Sequence, residues 1–228
     1  MYLKDWNDIP TFMKNEEVKK YYDVLSKKKF SLFIKRIFDV IMSLILIVLL
    51  SPILLVVAIW IKCDSKGPVF YRQERITQYG RKFKIFKFRT MVTNADKIGS
   101  LVTTQNDSRI TNVGNKIRKC RLDEIPQLFN ILIGDMSFVG TRPEVKKYVD
   151  AYTDEMLATL LLPAGVTSLA SINYKDEDEI IKQGTDKGKT VDETYLQDVL
   201  PEKMKYNLDY LEKLSFYNDL KFCLKTII

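Results

Sequence analysis

The chain contains no histidine in its 228 residues. That absence removes Ser-His-Asp and Cys-His catalysis together with histidine-built metal sites. An enzyme made from this sequence must draw its acid, base and nucleophile mainly from Asp, Glu, Lys, Tyr, Ser or Cys. Cysteine is scarce as well: Cys63, Cys120 and Cys223 are odd in number and include no C-x-x-C pair, so they argue for neither a disulfide framework nor a zinc site. A reducing, cytosolic environment fits them. Internal repeats and low-complexity tracts are also missing. What is present is ordinary for one globular domain with a real core, 46% hydrophobic and 29% charged residues. Bases outnumber acids, 36 to 29, for a net charge of +7. That balance suits nucleic acid, anionic lipid or a phosphorylated substrate without choosing among them.

One long apolar run dominates the N-terminal third. From Ile37 to Ile61 the only formal charge is Asp39, and the run reaches the length needed to cross a bilayer. It starts too far into the chain and lacks the cleavage site of a removable signal peptide. Pro52 interrupts its middle, removing a backbone hydrogen bond, and Ser51 is placed to satisfy a carbonyl that the proline frees. Lys27, Lys28, Lys29, Lys35 and Arg36 precede the run, and Lys62, Lys66, Arg72, Arg75, Arg81 and Lys82 follow it. Positive residues mark the cytoplasmic side, and here they mark both flanks. A re-entrant helix hairpin broken at Ser51-Pro52, entering and leaving by one face, satisfies both. A kinked span and a buried core helix are the alternatives.

The pattern divides the chain into a polar segment over 1–29, a membrane anchor over 30–62 and a globular domain over 63–228. The first segment reads as a short surface helix with scattered aromatics. "VFYRQERI" and "KFKIFKFRTM" predict two short strands joined at Tyr79-Gly80, with a bulge near Phe86 where the alternation slips. Residues 94–114 and the stretch "GDMSFVGTRPE" read as loops. Apolar spacing predicts a helix between Ile117 and Ile133 with Pro126 in its first turn, and another helix starts near Pro143. From Pro201 to Ile228 the spacing predicts an amphipathic helix, broken near Ser215, that serves the core or a membrane surface. The expected fold is α+β, mainly helical: a hairpin anchor followed by a small globular domain with short strands and amphipathic interfacial helices.

The stretch "RLDEIPQLFN" places Asp123 and Glu124 side by side in this basic chain, at or near a helix N-terminus. Such a pair is usually a solvated helix face or a cap. Here Arg118 lies just before it and Arg142 just after, in a loop with two glycines. Carboxylates bind a hard cation such as Mg²⁺, arginine binds phosphate oxygens in a fork, and a carboxylate can attack phosphorus. Together these groups describe a Mg²⁺-assisted phosphoryl-transfer site beside a membrane.

At these residues the sequence resembles the monotopic phosphoglycosyl transferases, bacterial sugar transferases that start glycan assembly on polyprenyl phosphate. The matching pieces are "KRIFD", Ser51-Pro52, "GPVFYRQER", "KFRTM", "DSRIT", "RLDEIPQLFNILIGDMSFVGTRPE" and "SFYNDLK", in that order from Lys35 to near the C-terminus. The resemblance implies that Asp123 attacks the β-phosphate of a UDP-sugar and releases UMP. Polyprenyl (undecaprenyl) phosphate then attacks the phosphosugar-aspartyl intermediate and leaves as polyprenyl-diphospho-sugar, a ping-pong sequence that is the first membrane step of bacterial glycan synthesis. It implies Mg²⁺ as cofactor, held by Asp123 and Glu124, with Glu124 assisting through the metal or by proton handling. Arg118, Arg142 and Asp219 match family residues at the substrate, and Lys175 stands where the family carries an arginine. Lys35 and Arg36 would lie at lipid headgroups, Asp39 would fix the helix, and Ser51-Pro52 would break the anchor. Residence in the bacterial inner membrane, catalytic domain on the cytoplasmic face, follows from the same resemblance.

The chain departs from the family at three places. Gly140-Thr141-Arg142-Pro143 replaces "GPRP", Ser108 replaces a proline in "DPRxT", and "LPAGVTS" with "NYKD" replaces "RPGxTG" with "NGRN". Lys175 can meet a phosphate only as a point charge. A non-catalytic, basic, membrane-anchored scaffold is the competing reading, and no element suited to reading nucleic acid is visible. The sugar, the glycan pathway and the oligomeric state, a homodimer among the options, stay open at this point.

Overall fold

The computed structural model describes residues 3–95, 107–174 and 176–227. The predicted contact of Lys175 therefore lies outside the described residues. The protein is mostly helical with a few short strands. Helix α1 (Glu16–Ser26) starts at Asn15, whose side chain accepts from the Val18 amide at 2.7 Å, and its first turn carries Glu16 and Glu17. It is more than a surface helix. Val18, Tyr21, Tyr22 and Leu25 are buried with Leu3, Ile9 and Met13 in the main core, against Leu160, Leu161, Tyr210 and Leu211. Polar composition hid this face because only every third or fourth residue carries it.

Helix α2 (Lys29–Asp64) is a single helix of 36 residues that runs through Pro52. Proline deprives the carbonyl four residues earlier, that of Val48, of its usual donor. Ser51 Oγ donates to that carbonyl at 2.8 Å, so the freed group is satisfied within the helix. Between Phe30 and Trp60 one side of the helix is bare apolar surface, with Val48, Leu49, Leu55 and Val56 at 63–68% exposure. A soluble chain rarely leaves so long an apolar surface bare, so this one associates with a membrane.

Strands β1 (Phe70–Tyr71), β2 (Glu74–Ile76), β3 (Lys82–Lys84) and β4 (Lys87–Phe88) form two antiparallel pairs, β1 with β4 and β2 with β3. The turn between β2 and β3 runs through Tyr79, which adopts φ 59°. The ladder breaks between β3 and β4, where the slip was expected: the Phe86 amide donates to Asn130 Oδ1 at 2.7 Å. Helix α3 (Asn112–Lys119) leads to a 3-10 turn at Leu122–Glu124 and then to α4 (Gln127–Ile133), so the predicted helix across 117–133 is two helices with a tight turn between them. Strand β5 (Met136–Val139) lies within the stretch read as a loop. Three buried residues and a half-buried Phe138, with no alternation, gave it no strand signal.

Helix α5 (Lys146–Val149) follows, then strand β6 (Ala164–Thr167), which pairs parallel with β5. After β6 come α6 (Leu169–Asn173), α7 (Glu177–Asp186) and α8 (Val191–Thr194), with a π turn at Tyr195–Val199. The predicted C-terminal helix is α9 (Leu200–Glu212) and α10 (Phe216–Ile227), separated around Ser215 as expected. Helix α9 is core, burying Met204, Leu208 and Leu211, whereas Tyr217 and Leu224 of α10 are exposed.

Both ends of α2 are tied to the globular part. Lys35 Nζ meets Asp219 Oδ2 of α10 at 2.7 Å, both side chains buried. Arg36 donates to the Ile131 and Leu132 carbonyls at 2.6 and 2.9 Å, satisfying the C-terminal end of α4. Asp39 accepts from the Phe138 amide of β5 at 3.2 Å. Lys35 and Arg36, expected at lipid headgroups, thus point into the protein. At the other end Asp64 accepts from the Val113 amide at 3.2 Å, and Arg89 donates to the Ser65 and Lys66 carbonyls at 2.8 and 2.7 Å.

Candidate active site

Arg121 turns the chain from α3 into the acid pair. It sits at φ 56°, ψ 18°, a left-handed conformation that costs an arginine on the order of 1 kcal/mol, and strained backbone of this kind gathers at functional sites. The turn that follows presents Asp123 and Glu124 to a cavity of about 1370 Å³, into which Arg118, Arg142, Lys87 and Arg75 also project. Arg142 reaches it because β5 and β6 end in a close approach of backbones. A Cβ added to Gly165 would lie 2.2 Å from the Gly140 nitrogen, and the Gly165 amide donates to the Thr141 carbonyl at 2.8 Å. Only glycine permits that approach, and it fixes the turn carrying Arg142 despite the threonine at 141.

The two neighbouring carboxylates are in different states. Glu124 Oε1 accepts from Lys87 Nζ at 2.7 Å and from Arg142 Nη2 at 3.0 Å. Burial on its own would raise the Glu124 pKa, but Arg142 and Lys87 together outweigh it and hold the carboxyl well below the usual range. Asp123 has no ion pair among the described residues. Burial pushes its pKa up, Lys87 and Arg118 pull it back, and the charge of Glu124 adds to the rise. Arg118 likewise makes no ion pair among the described residues, so its guanidinium is available to an anion. One acid is therefore locked and the other is poised.

A second charged group lies along the same cavity. Buried Glu144 accepts from the Tyr195 hydroxyl at 2.6 Å and faces Arg75 at 4.0 Å, while Lys203 Nζ lies 3.3 Å from the Tyr195 oxygen and 3.1 Å from Glu177. The sequence reading brought Asp123, Glu124, Arg118 and Arg142 to one place, and the structure gathers all four. Asp219 is elsewhere: bound to Lys35 and accepting from the Tyr210 hydroxyl at 2.9 Å, it ties α10 to α2 and is not on the cavity wall. Lys87, Glu144, Tyr195 and Lys203 were not singled out in the sequence, and Arg75 only as a charge flanking the apolar run. The quoted pieces contained three of them, but a lysine in an alternating strand reads as its wet face.

Among the described residues no three acidic or thiol side chains cluster into a self-sufficient metal site. Mg²⁺ is ordinarily held by one or two carboxylates together with substrate phosphates and waters. Asp123 and Glu124, which both line the cavity, would be the carboxylates to hold one beside a bound diphosphate.

Comparison with known proteins bears on the family. The sequence model described as bacterial sugar transferase matches residues 30–228. The UDP-N-acetylgalactosamine-undecaprenyl-phosphate N-acetylgalactosaminephosphotransferase of Aeromonas hydrophila is 36% identical over 172 residues, 75% of this chain and 37% of that protein. The UDP-glucose:undecaprenyl-phosphate glucose-1-phosphate transferase of Klebsiella pneumoniae is 35% identical over 178 residues, 75% of this chain and 34% of that protein. The transferase of the same description from Caulobacter vibrioides is 34% identical, over 75% of this chain and 60% of that protein. The match thus spans about a third of the first two relatives. With the match reaching from the start of the apolar helix to the last residue, the chain belongs to the bacterial sugar transferase family.

Proposed function

We propose that the protein transfers a sugar-1-phosphate from a UDP-sugar to polyprenyl phosphate by way of a phosphosugar carried on Asp123. The observation that carries this reading is the contrast within the acid pair: Glu124 is held by two cations, and Asp123 stands in the same cavity with no ion partner among the described residues. In the first step an Asp123 carboxylate oxygen bonds to the β-phosphorus, the bond from that phosphorus to the bridging oxygen breaks, and UMP leaves with the electron pair. In the second step a phosphate oxygen of the lipid bonds to the same phosphorus and the aspartyl oxygen departs. Glu124 holds Lys87 and Arg142 in place, and those cations with Arg118 stabilise charge on the phosphates in a site partly withdrawn from water. Mg²⁺, held by Asp123 and Glu124 with the diphosphate, would supply charge neutralisation there.

The anchor fits a re-entrant arrangement in the inner membrane, with the domain on the cytoplasmic face. Lys35 to Asp219 at one end of α2 and Asp64 to the Val113 amide at the other bind the same globular unit. A true span would put those contacts on opposite sides of about 30 Å of hydrocarbon. A bend at Ser51-Pro52 would return both ends to one side and immerse the bare apolar middle. The test of the reaction is a UMP-release screen over a panel of UDP-sugars with the purified protein in lipid particles. Release with one donor and Mg²⁺, before lipid acceptor is added, is expected. A protein that binds anionic lipid yet consumes no donor would instead be a scaffold.

A further inference from the structure

Helices α1, α5 and α9 keep surface lysines beside acids, each with an ion-pair partner three or four residues away. Helix α3 is built differently. No Asp or Glu stands between Asp107 and Asp123, and the exposed Lys116 and Lys119 make no ion pair among the described residues.

That single-signed helix lies against the membrane anchor. The Val113 amide at its start meets Asp64 at the end of α2, Lys116 Nζ lies 5.5 Å from the centre of the Trp60 ring, and Ile117 packs with Val57 and Ile61. Helix α3 therefore runs back along the last turns of α2. There Val56, Ile59 and Trp60 are 63, 55 and 39% exposed. Lys62 and Lys66, exposed and also without an ion pair among the described residues, stand at the end of α2, and the acid between them, Asp64, is taken up by the start of α3. A row of lysines thus borders bare apolar surface. At such a border a lysine lays its stem on hydrocarbon and extends its ammonium to the headgroups, with tryptophan at the same level. A zwitterionic headgroup offers that ammonium no net charge, whereas an anionic one does.

We propose that Lys116 and Lys119 of α3, with Lys62 and Lys66 of α2, form a surface selective for anionic phospholipid, which gathers such lipids around the C-terminal end of the apolar helix. None of the four lysines lines the cavity that holds Asp123, whereas Arg118 of the same helix does. The surface is therefore separate from the reaction site, and it depends on membrane association and not on the transfer chemistry.

The test is quenching of Trp60 fluorescence by brominated lipid, with the full chain in nanodiscs and Trp6→Phe leaving Trp60 as the only tryptophan. Brominated phosphatidylglycerol, a minority in phosphatidylcholine, is expected to quench about fivefold more than the same fraction of brominated phosphatidylcholine, the effect of roughly one lysine held at an anionic surface. Added salt should shrink that preference. Lys116→Gln with Lys119→Gln should bring it close to unity, and arginine at both positions should keep it. Lys182→Gln with Lys187→Gln removes the same charge from exposed lysines at the end of α7 and should leave the preference intact. Each value is a ratio of two quenchers in one protein, so a changed depth of Trp60 cancels, and the first comparison needs no lysine variant to fold. Equal quenching by the two lipids, or equal loss in the α3 and α7 variants, would overturn the proposal. So would loss of the preference to inorganic phosphate at constant ionic strength, which would make the edge a site for free anion and not for lipid.

Discussion

Arg142 Nη2 lies 3.0 Å from Glu124 Oε1, the same oxygen that Lys87 holds at 2.7 Å. That shared oxygen separates the roles of two acids that are adjacent in the chain. Glu124 organises the cations, and Asp123 is left facing the cavity.

Replacing Glu124 by Gln keeps the shape and removes the charge. Lys87 and Arg142 then lose their common partner, at a cost of about 1–3 kcal/mol for poorly paired buried groups. Thermal unfolding of Glu124→Gln should begin several degrees lower, and turnover should fall because the phosphate-binding cations are no longer fixed. An unchanged melting temperature with unchanged kcat would show that the pair contributes nothing.

The pH dependence of UMP release should follow Asp123, which must be ionised to attack. Burial, the largest influence, raises its pKa, so the acid limb lies above that of an exposed aspartate. Lys87 favours the anion, so Lys87→Gln should move the limb to higher pH. Glu124 opposes it, so Glu124→Gln should move the limb to lower pH. Single-turnover rates across the acid range check both signs, and a common direction for the two variants would contradict the assignment.

Lys35 and Asp219 form a buried pair, with side chains 3 and 6% exposed. Removing one partner strands the other, so Lys35→Met should cost about 3–5 kcal/mol, on the order of 10 °C in melting temperature. The double replacement Lys35→Met with Asp219→Leu should recover most of it. Asp219→Asn should destabilise without changing the donor KM. A raised donor KM at unchanged stability would return Asp219 to the substrate.

Topology is checked in a cysteine-free background with a single cysteine restored at Cys63 or introduced at Lys27. A membrane-impermeant maleimide should reach both from the same side. Labelling from opposite sides would make α2 a span.

Much of this was legible in the sequence, for identifiable reasons. The apolar run, its Ser51-Pro52 interruption and the acid pair between arginines are local patterns, and their physics is local too. Ser51 satisfies the very carbonyl that Pro52 frees. What escaped depends on distant partners. Lys87 is 37 positions from Glu124, and only the β3 to β4 break, pinned by Asn130 accepting from the Phe86 amide, aims it inward. Parallel pairing of β5 with β6 needs residues far apart in the chain, so neither short strand announces itself alone. Asp219 looked like a substrate ligand because its motif was familiar, and the buried lysine that claims it lies 184 residues away.

The most direct test of the central claim is intact-protein and peptide mass spectrometry after brief exposure to the donor UDP-sugar and Mg²⁺ without lipid. The account predicts one phosphosugar added to the peptide that contains Asp123, UMP released in matching amount, and neither event in Asp123→Asn. Stoichiometric UMP release or a phosphosugar adduct in Asp123→Asn would contradict it.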